Sequence, residues 1–291
     1  QYLARNAKKI MVDIDHFEIN KMNTQIDVRC PYDAGVFINA MEDQLDEKPV
    51  EVPKWKKWWE QCLSWKEQFP MVLPEYWDYE DGVSTYVLLD ILSELIKPGD
   101  LFLPGSSGAC SEVSMQTFKV KKGVRVFNSE GMGPMGFGIS ASLGACIASE
   151  NRRTVCVDGD GGFAMNTQEL ETIRRLELPI KFFVLDNNGY ASIRSTQKTY
   201  FEGRYFGSSP EGGLTLPKLQ LIAHAYDIDF VNLKFNENVR SVVENSFKSD
   251  KPVICRVEVS DKQVTKPRVK SRKNENGTME TAPMEEMWPA V

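Results

Sequence analysis

The chain has 291 residues, of which 26% are charged and 42% are hydrophobic, and its formal net charge is −6. This balance is typical of a soluble globular protein, and the negative net charge gives no electrostatic footprint for nucleic acid. No apolar run is long enough to span a bilayer, so we expect no membrane association. The six scattered cysteines form no C-x-x-C pair, which favours a reduced, cytoplasmic compartment.

Residues 1–48 have the pattern of the end of an α/β domain, with a strand over KIMVDID and a helix near AGVFINAMEDQL. The opening residues do not resemble a natural start, which favours a fragment or a processed chain. Residues 49–76 predict a helical linker with one aromatic face. The side chains of that face recur at helical spacing: Trp55, Trp58, Trp59, Cys62 and Trp65. We expect this face to pack against another domain or subunit.

Residues 77–262 alternate helical segments with apolar strands. The strand candidates are DLFLP, VRVFN, TVCVD, IKFFVLD, DFVNL and PVICRVEV. This alternation predicts an α/β fold with a largely parallel sheet and helices on both faces. Residues 263–291 are polar, and they predict either a disordered tail or a segment that covers the active site, anchored by Met284, Met287 and Trp288.

The stretch VDGDGGFAMN, residues 157–166, follows a predicted strand and carries two aspartates among three glycines. The N–H groups of Gly161 and Gly162 lie near a helix start, where they can meet a phosphate. Asp160 would repel such an anion unless a cation lies between them, so the loop predicts a metal that bridges a carboxylate and a phosphate. Asn166 is predicted to cap the next helix, with Glu169 in capping-box spacing.

The next predicted strand ends in DNNGY, residues 186–190. A right-handed crossover places the two strands parallel and side by side, so Asp160 and Asn187 should project from the same edge of the sheet. Carboxylate and amide oxygens suit Mg²⁺, and Gly189 lets a backbone carbonyl turn inward as a third ligand. Each loop alone is a common turn, but together they predict a site for Mg²⁺ and a diphosphate.

A nicotinamide dehydrogenase is the competing interpretation. GMGPMG, residues 131–136, satisfies G-x-G-x-x-G, and Asp158 ends the next strand. A proline and a methionine put bulk inside that glycine turn, and no His or Tyr–Lys pair stands out for hydride transfer. This interpretation also leaves the GDG and NNG loops unexplained.

GDG followed by 25 residues and then NN resembles the cofactor signature of thiamine diphosphate (ThDP) enzymes, and of acetolactate synthase-like members in particular. The resemblance implies octahedral Mg²⁺ held by Asp160, Asn187 and the carbonyl of Gly189, bridging to the diphosphate. Asp186 stands where the family usually has its first asparagine, and Asn188 takes the variable position.

The resemblance also implies cofactor contacts in two earlier loops. PGSSGA implies Ser106 and Ser107 as donors to the diphosphate. EGMGPMGFG implies that the carbonyl of Gly133 accepts the aminopyrimidine amino group and that Met135 wedges the cofactor into its bent, reactive shape. We expect Tyr190 and the residues after it to line the cofactor and acceptor pocket.

The resemblance implies a ThDP- and Mg²⁺-dependent decarboxylase or carboligase that acts on a small 2-oxo acid. The family's activating glutamate lies in an N-terminal domain, so we expect no catalytic residue in this chain and no activity from it alone. That domain would come from the neighbouring subunit of a homodimer or homotetramer, or from a separate chain. A non-catalytic ThDP-binding subunit is an alternative, and binding of FAD or ADP through Asp13 or Asp15 is left open beside a structural role.

Overall fold

A computed structural model describes residues 4, 6–50, 55–105, 108–129, 131–259, 263–269 and 271–288. The chain divides into two compact units, one formed by Gln1–Phe69 and Lys266–Val291 and the other by Pro70–Thr265. The domain limits given above stay predictions. In the described ranges, no helix is both long enough and apolar enough to cross a membrane.

The first unit begins with a small parallel strand pair. Its elements in this part of the chain are β1 (Ile10–Val12), α1 (His16–Asn20), β2 (Val28–Cys30), α2 (Ala34–Glu47) and α3 (Lys56–Gln68), with β1 paired to β2. Asp15 caps α1, because its Oδ1 accepts the N–H of Phe17 at 2.8 Å, and Asp33 caps α2 in the same way. Asp15 therefore has a structural role, and binding of FAD or ADP stays open.

Helix α3 carries an exposed aromatic face. Trp58 and Trp59 are 61% and 66% exposed, and no residue of the helix is buried. The rings of Trp58 and Trp65 meet edge to face with their centroids 5.5 Å apart. Packing of this face against another domain or subunit stays a prediction.

The second unit is built on a six-stranded sheet. Its strands are β3 (Leu101–Pro104), β4 (Arg125–Val126), β5 (Thr154–Gly159), β6 (Ile180–Asp186), β7 (Asp229–Leu233) and β8 (Val253–Glu258). The spatial order is β4-β3-β5-β6-β8-β7, and every neighbouring pair is parallel. The predicted parallel α/β sheet is confirmed.

Helices cover both faces of this sheet. They are α4 (Thr85–Leu95), α5 (Glu112–Thr117), α6 (Phe137–Ala148), α7 (Asp160–Phe163), α8 (Glu169–Arg175), α9 (Ala191–Tyr200), α10 (Leu219–Ala225) and α11 (Val239–Lys248). On β6, Phe182 and Val184 pack with residues of α6, α8 and α10, whereas Phe183 and Leu185 pack with residues of α4 and α11. Burial on both faces explains why the inner strands β3, β5 and β6 are mostly apolar, each buried apolar side chain contributing about 1.5–3 kcal/mol.

The predicted helix cap at Asn166 is wrong. A single helical turn, α7, begins directly after β5, and Asn166 lies in the 3-10 turn that follows it, three residues before α8 begins at Glu169. Its Nδ2 donates instead to the carbonyl of Gly136, at 2.9 Å. The local capping signal is overridden because the side chain has a partner 30 residues earlier, at the start of α6.

The tail contains short antiparallel strands. β9 (Arg268–Val269) pairs with β12 (Met287–Trp288), and β10 (Ser271–Lys273) pairs with β11 (Met279–Thr281). These pairs favour an ordered segment over the disordered alternative. Its use as an active-site cover stays a prediction.

Candidate cofactor and metal site

Asp160 lies where two neighbouring strands end. It begins α7 directly after β5, and 6% of the residue is exposed. Its Oδ1 accepts the N–H of Gly161 at 2.7 Å, and its Oδ2 accepts those of Gly189 at 2.9 Å and Asn187 at 3.3 Å. One carboxylate therefore joins the loop after β5 to the loop after β6, as expected for adjacent parallel strands.

The surroundings of Asp160 disfavour its bare negative charge. Burial raises its pKa to about 7, the N–H of Gly189 opposes that rise, and the charge of Asp186 adds to it. A carboxylate has about four lone-pair positions, and three of those on Asp160 accept backbone N–H groups. A cation at the remaining position would offset both the burial and the repulsion.

Asn187 is held by Arg194 of α9. The Nη2 of Arg194 donates to the side-chain Oδ1 and to the backbone carbonyl of Asn187, both at 3.0 Å. Its Nη1 donates to the carbonyls of Asn188 and Ser208, both at 3.3 Å. The guanidinium therefore fixes the loop after β6. An amide oxygen has two lone pairs, so the Oδ1 of Asn187 keeps one for a metal.

Position 189 requires glycine for two independent reasons. Gly189 has φ +139°, which side chains rarely adopt, and a Cβ there would lie 2.5 Å from the carbonyl oxygen of Ser208. The N–H of Tyr190 donates to that same carbonyl at 3.0 Å. The loop that carries Asn187 is thus held closely against the segment around Ser208.

Most of the predicted cofactor residues line one cavity of about 100 Å³ beside Asp160. The predicted residues that it brings together are Met135, Asp160, Gly161, Gly162, Asn187, Gly189 and Tyr190. Gly133 lies two residues before Met135, in a left-handed turn with φ +52°. Ser106 and Ser107 lie outside the described residues, so their contacts stay predictions.

Gly161 lies directly against the ring of Tyr190. A Cβ at position 161 would be 2.2 Å from the Cε1 of Tyr190 and 3.5 Å from the Cε of Met135. The N–H of Gly161 is bonded to Asp160, so its predicted use as a phosphate donor requires that bond to be exchanged. Because position 161 has no side chain, the ring of Tyr190 and the side chain of Met135 can lie close to the loop.

Asp186, the departure from the family pattern, is paired with an arginine of the next strand. The Nε of Arg256 on β8 lies 2.5 Å from its Oδ2, and the Nη1 of Arg256 lies 2.8 Å from the Oε1 of Glu258. The guanidinium compensates the negative charge that Asp186 brings close to Asp160. The pair forms part of the wall of a second cavity, of about 650 Å³, which also reaches Asp160.

The donor chemistry fits a hard divalent cation. Asp160 and Asn187 offer oxygen atoms, and the described part of the chain contains no group of three His, Cys, Asp or Glu side chains that could hold a metal. Mg²⁺ suits so sparse a set, because it completes its shell with phosphate and water oxygens. Cys110 also lines the cavity, but burial raises the pKa of its thiol well above its usual range, which disfavours the thiolate form.

Residues 106–257 match the family model described as thiamine pyrophosphate enzyme, C-terminal TPP binding domain. The chain is 29% identical over 275 residues to the acetolactate synthase large subunit of Porphyra purpurea. It is 28% identical over 269 residues to the acetolactate synthase isozyme 2 large subunit of Escherichia coli strain K12. Both alignments cover 91% of this chain, but 44% and 46% of the relatives, so the chain spans less than half the length of the curated relatives it matches.

Thiamine pyrophosphate is another name for ThDP. The matched stretch covers more than half of the chain and contains both loops that meet at Asp160. The chain therefore belongs to the thiamine pyrophosphate enzyme family, has acetolactate synthase large subunits among its relatives, and carries the C-terminal cofactor-binding domain.

Proposed function

We propose that this chain is the diphosphate- and Mg²⁺-binding half of a ThDP-dependent enzyme that acts on 2-oxo acids. One observation carries the proposal: the carboxylate of Asp160 joins the loops after β5 and β6, in one cavity with Asn187. Open parallel sheets bind ligands at this edge. The family match supports ThDP as the cofactor.

In this proposal the side chains of Asp160 and Asn187 and the carbonyl of Gly189 hold Mg²⁺, which anchors the diphosphate. Arg194 keeps Asn187 in place through its bonds to the amide oxygen and the backbone. Met135 and Tyr190 provide walls that exclude water. Bound ThDP supplies the electron sink for loss of CO₂ from a 2-oxo acid.

We propose carboligation, with a second 2-oxo acid as the acceptor, because relatives named acetolactate synthase align with 91% of the chain. Product analysis with pyruvate separates this activity from simple decarboxylation and from non-catalytic ThDP binding. The dehydrogenase interpretation is not favoured. Asp158, the acid that it assigns to a ribose, is 2% exposed and so has little surface to offer to two hydroxyl groups.

We further propose that catalysis, in the cytoplasm, needs a second polypeptide segment that supplies the activating glutamate. It would come from another copy in a homodimer or homotetramer, or from a separate chain. With ThDP, Mg²⁺ and pyruvate, the 291-residue chain should release no CO₂ until a glutamate-bearing N-terminal domain is added. Turnover at an ordinary enzyme rate by the chain alone would contradict this part.

Thermal melting of the chain tests the binding proposal. ThDP with Mg²⁺ should raise the melting temperature, whereas ThDP with EDTA, or NAD with Mg²⁺, should leave it unchanged. Ligands that bind the folded state alone stabilise it by mass action, so the shift should grow with ThDP concentration. Stabilisation by NAD and not by ThDP would overturn the proposal.

A further inference from the structure

Asp158 has a buried carboxylate that the proposed function does not use. The residue lies in β5, two positions before Asp160, and 2% of it is exposed. Its Oδ1 accepts the N–H of Gly159 at 2.9 Å, whereas its Oδ2 has no hydrogen-bond partner among the described residues. Since buried polar atoms are nearly always satisfied, this oxygen calls for a reason.

Three glycines from separate parts of the chain surround this carboxylate. A Cβ at Gly105 would lie 2.3 Å from its Oδ1, one at Gly138 would lie 2.3 Å from its Oδ2, and one at Gly162 would lie 2.7 Å from its Oδ1. None of the three has a positive φ, so space and not backbone conformation requires glycine there. The carboxylate of Asp158 therefore occupies the space that a side chain at any of these three positions would need.

Each of these glycines belongs to a different segment near the cavity. Gly105 directly follows β3, Gly138 lies in the first turn of α6, and Gly162 lies in α7 after β5. At each of these positions a Cβ would overlap the carboxylate, so all three glycines pack directly against this one group. A single side chain thus contacts all three segments that the sequence assigns to the cofactor.

We propose that Asp158 is a positioning residue whose carboxylate holds these three segments at a fixed spacing, so that the site is formed before the cofactor arrives. The statement that these segments form a cofactor site rests on the proposed function. The positioning is a property of the chain itself and is tested without any ligand.

Hydrogen–deuterium exchange on the ligand-free 291-residue chain measures the positioning. Asp158→Ala should speed exchange about tenfold or more in all three segments together, because it removes their common contact. Asp158→Asn keeps the shape and the bond from Gly159, and it should restore most of the protection that Asp158→Ala loses. Faster exchange confined to β5, or an Asn variant that behaves like the Ala variant, would overturn the proposal.

A double-mutant cycle tests the same contact where Asp158→Ala fails to fold. Gly162→Ala alone places a methyl group against the carboxylate, since the three atoms nearest to that Cβ all belong to Asp158. In the double variant, Asp158→Ser removes most of the obstruction. The ratio of folded to unfolded protein should then be at least about tenfold higher than the two single losses would give if they were additive. Additive losses would refute the contact.

Gly144→Ala is the matched control, because a Cβ on that exposed residue of α6 meets nothing within 4 Å. It should not lower stability, since alanine favours a helix interior over glycine, and it should not speed exchange in the three segments. ThDP titrations of the same variants separate the two proposals. If the wild type binds no ThDP but the exchange results hold, the proposed function fails and the positioning stands. If the wild type binds ThDP and Asp158→Ala changes nothing, the positioning fails.

Discussion

Asp160→Asn removes the charge of the site and keeps the shape of the side chain. The carboxylate accepts the N–H groups of Gly161, Asn187 and Gly189. An amide has one acceptor oxygen, so when that oxygen serves Asn187 and Gly189, the N–H of Gly161 faces an NH₂ group. An unpaired buried donor costs about 1–3 kcal/mol, partly offset because the amide avoids the cost of burying a charge. We expect the free energy of unfolding of the ligand-free chain to fall by about 1–2 kcal/mol.

The same substitution should affect ligand binding more strongly. A ligand at 100 times its Kd stabilises the folded state by about 2.7 kcal/mol, and we expect ThDP with Mg²⁺ to stabilise the wild type to that extent and the variant not at all. Urea denaturation followed by circular dichroism, with and without ThDP and Mg²⁺, measures both effects. Asp186→Asn, which leaves the proposed metal ligands intact, is the control and should keep the gain. An undiminished gain in Asp160→Asn would refute its role as a metal ligand.

Three further predictions concern the surroundings of the site. Gly189→Ala should lower the urea midpoint more than Gly213→Ala, because φ is positive at both positions but a new Cβ meets a carbonyl oxygen at 2.5 Å at 189 and nothing within 4 Å at 213; equal losses would contradict this. Arg194→Met should cost about 1–3 kcal/mol, since it removes a charged donor from four oxygens. Arg204→Met, at an exposed position, should hardly change the melting temperature. A loss as large as that of Arg194→Met would argue against a special role of Arg194 in fixing the loop after β6. Burial lowers the pKa of Lys181 from 10.5 to about 8, so between these values the folded chain binds fewer protons than the unfolded chain. Relative to Lys181→Met, the wild type should therefore gain up to about 1.4 kcal/mol of unfolding free energy per pH unit above about pH 8. Urea denaturation of both proteins at several pH values measures this, and a difference in unfolding free energy that does not change with pH would exclude it.

The sheet and the meeting of the two loops could be predicted because both follow from chain connectivity. GDG ends one apolar strand, and NNG ends the next after a single helix. Strands joined in this way are parallel neighbours, so their carboxyl ends share an edge. The register of β5 against β6 and the bonds from Asn187 and Gly189 to Asp160 confirm that expectation.

Contacts between distant residues could not be predicted in the same way. Arg256 is 70 positions from Asp186, and Asn166 is 30 positions from the carbonyl that it binds. Local patterns of capping and charge carry no information about such partners. Asp158 shows the same limit, because its position at the end of a predicted strand gives no sign of the three segments of the fold that surround it.

Isothermal titration calorimetry of the 291-residue chain with ThDP tests the central claim most directly. We predict saturable binding in Mg²⁺, no binding in EDTA, and no binding in either condition for Asp160→Asn. Binding of ThDP that is independent of Mg²⁺, or that survives in Asp160→Asn, would contradict a metal–diphosphate site at the meeting point of the two loops.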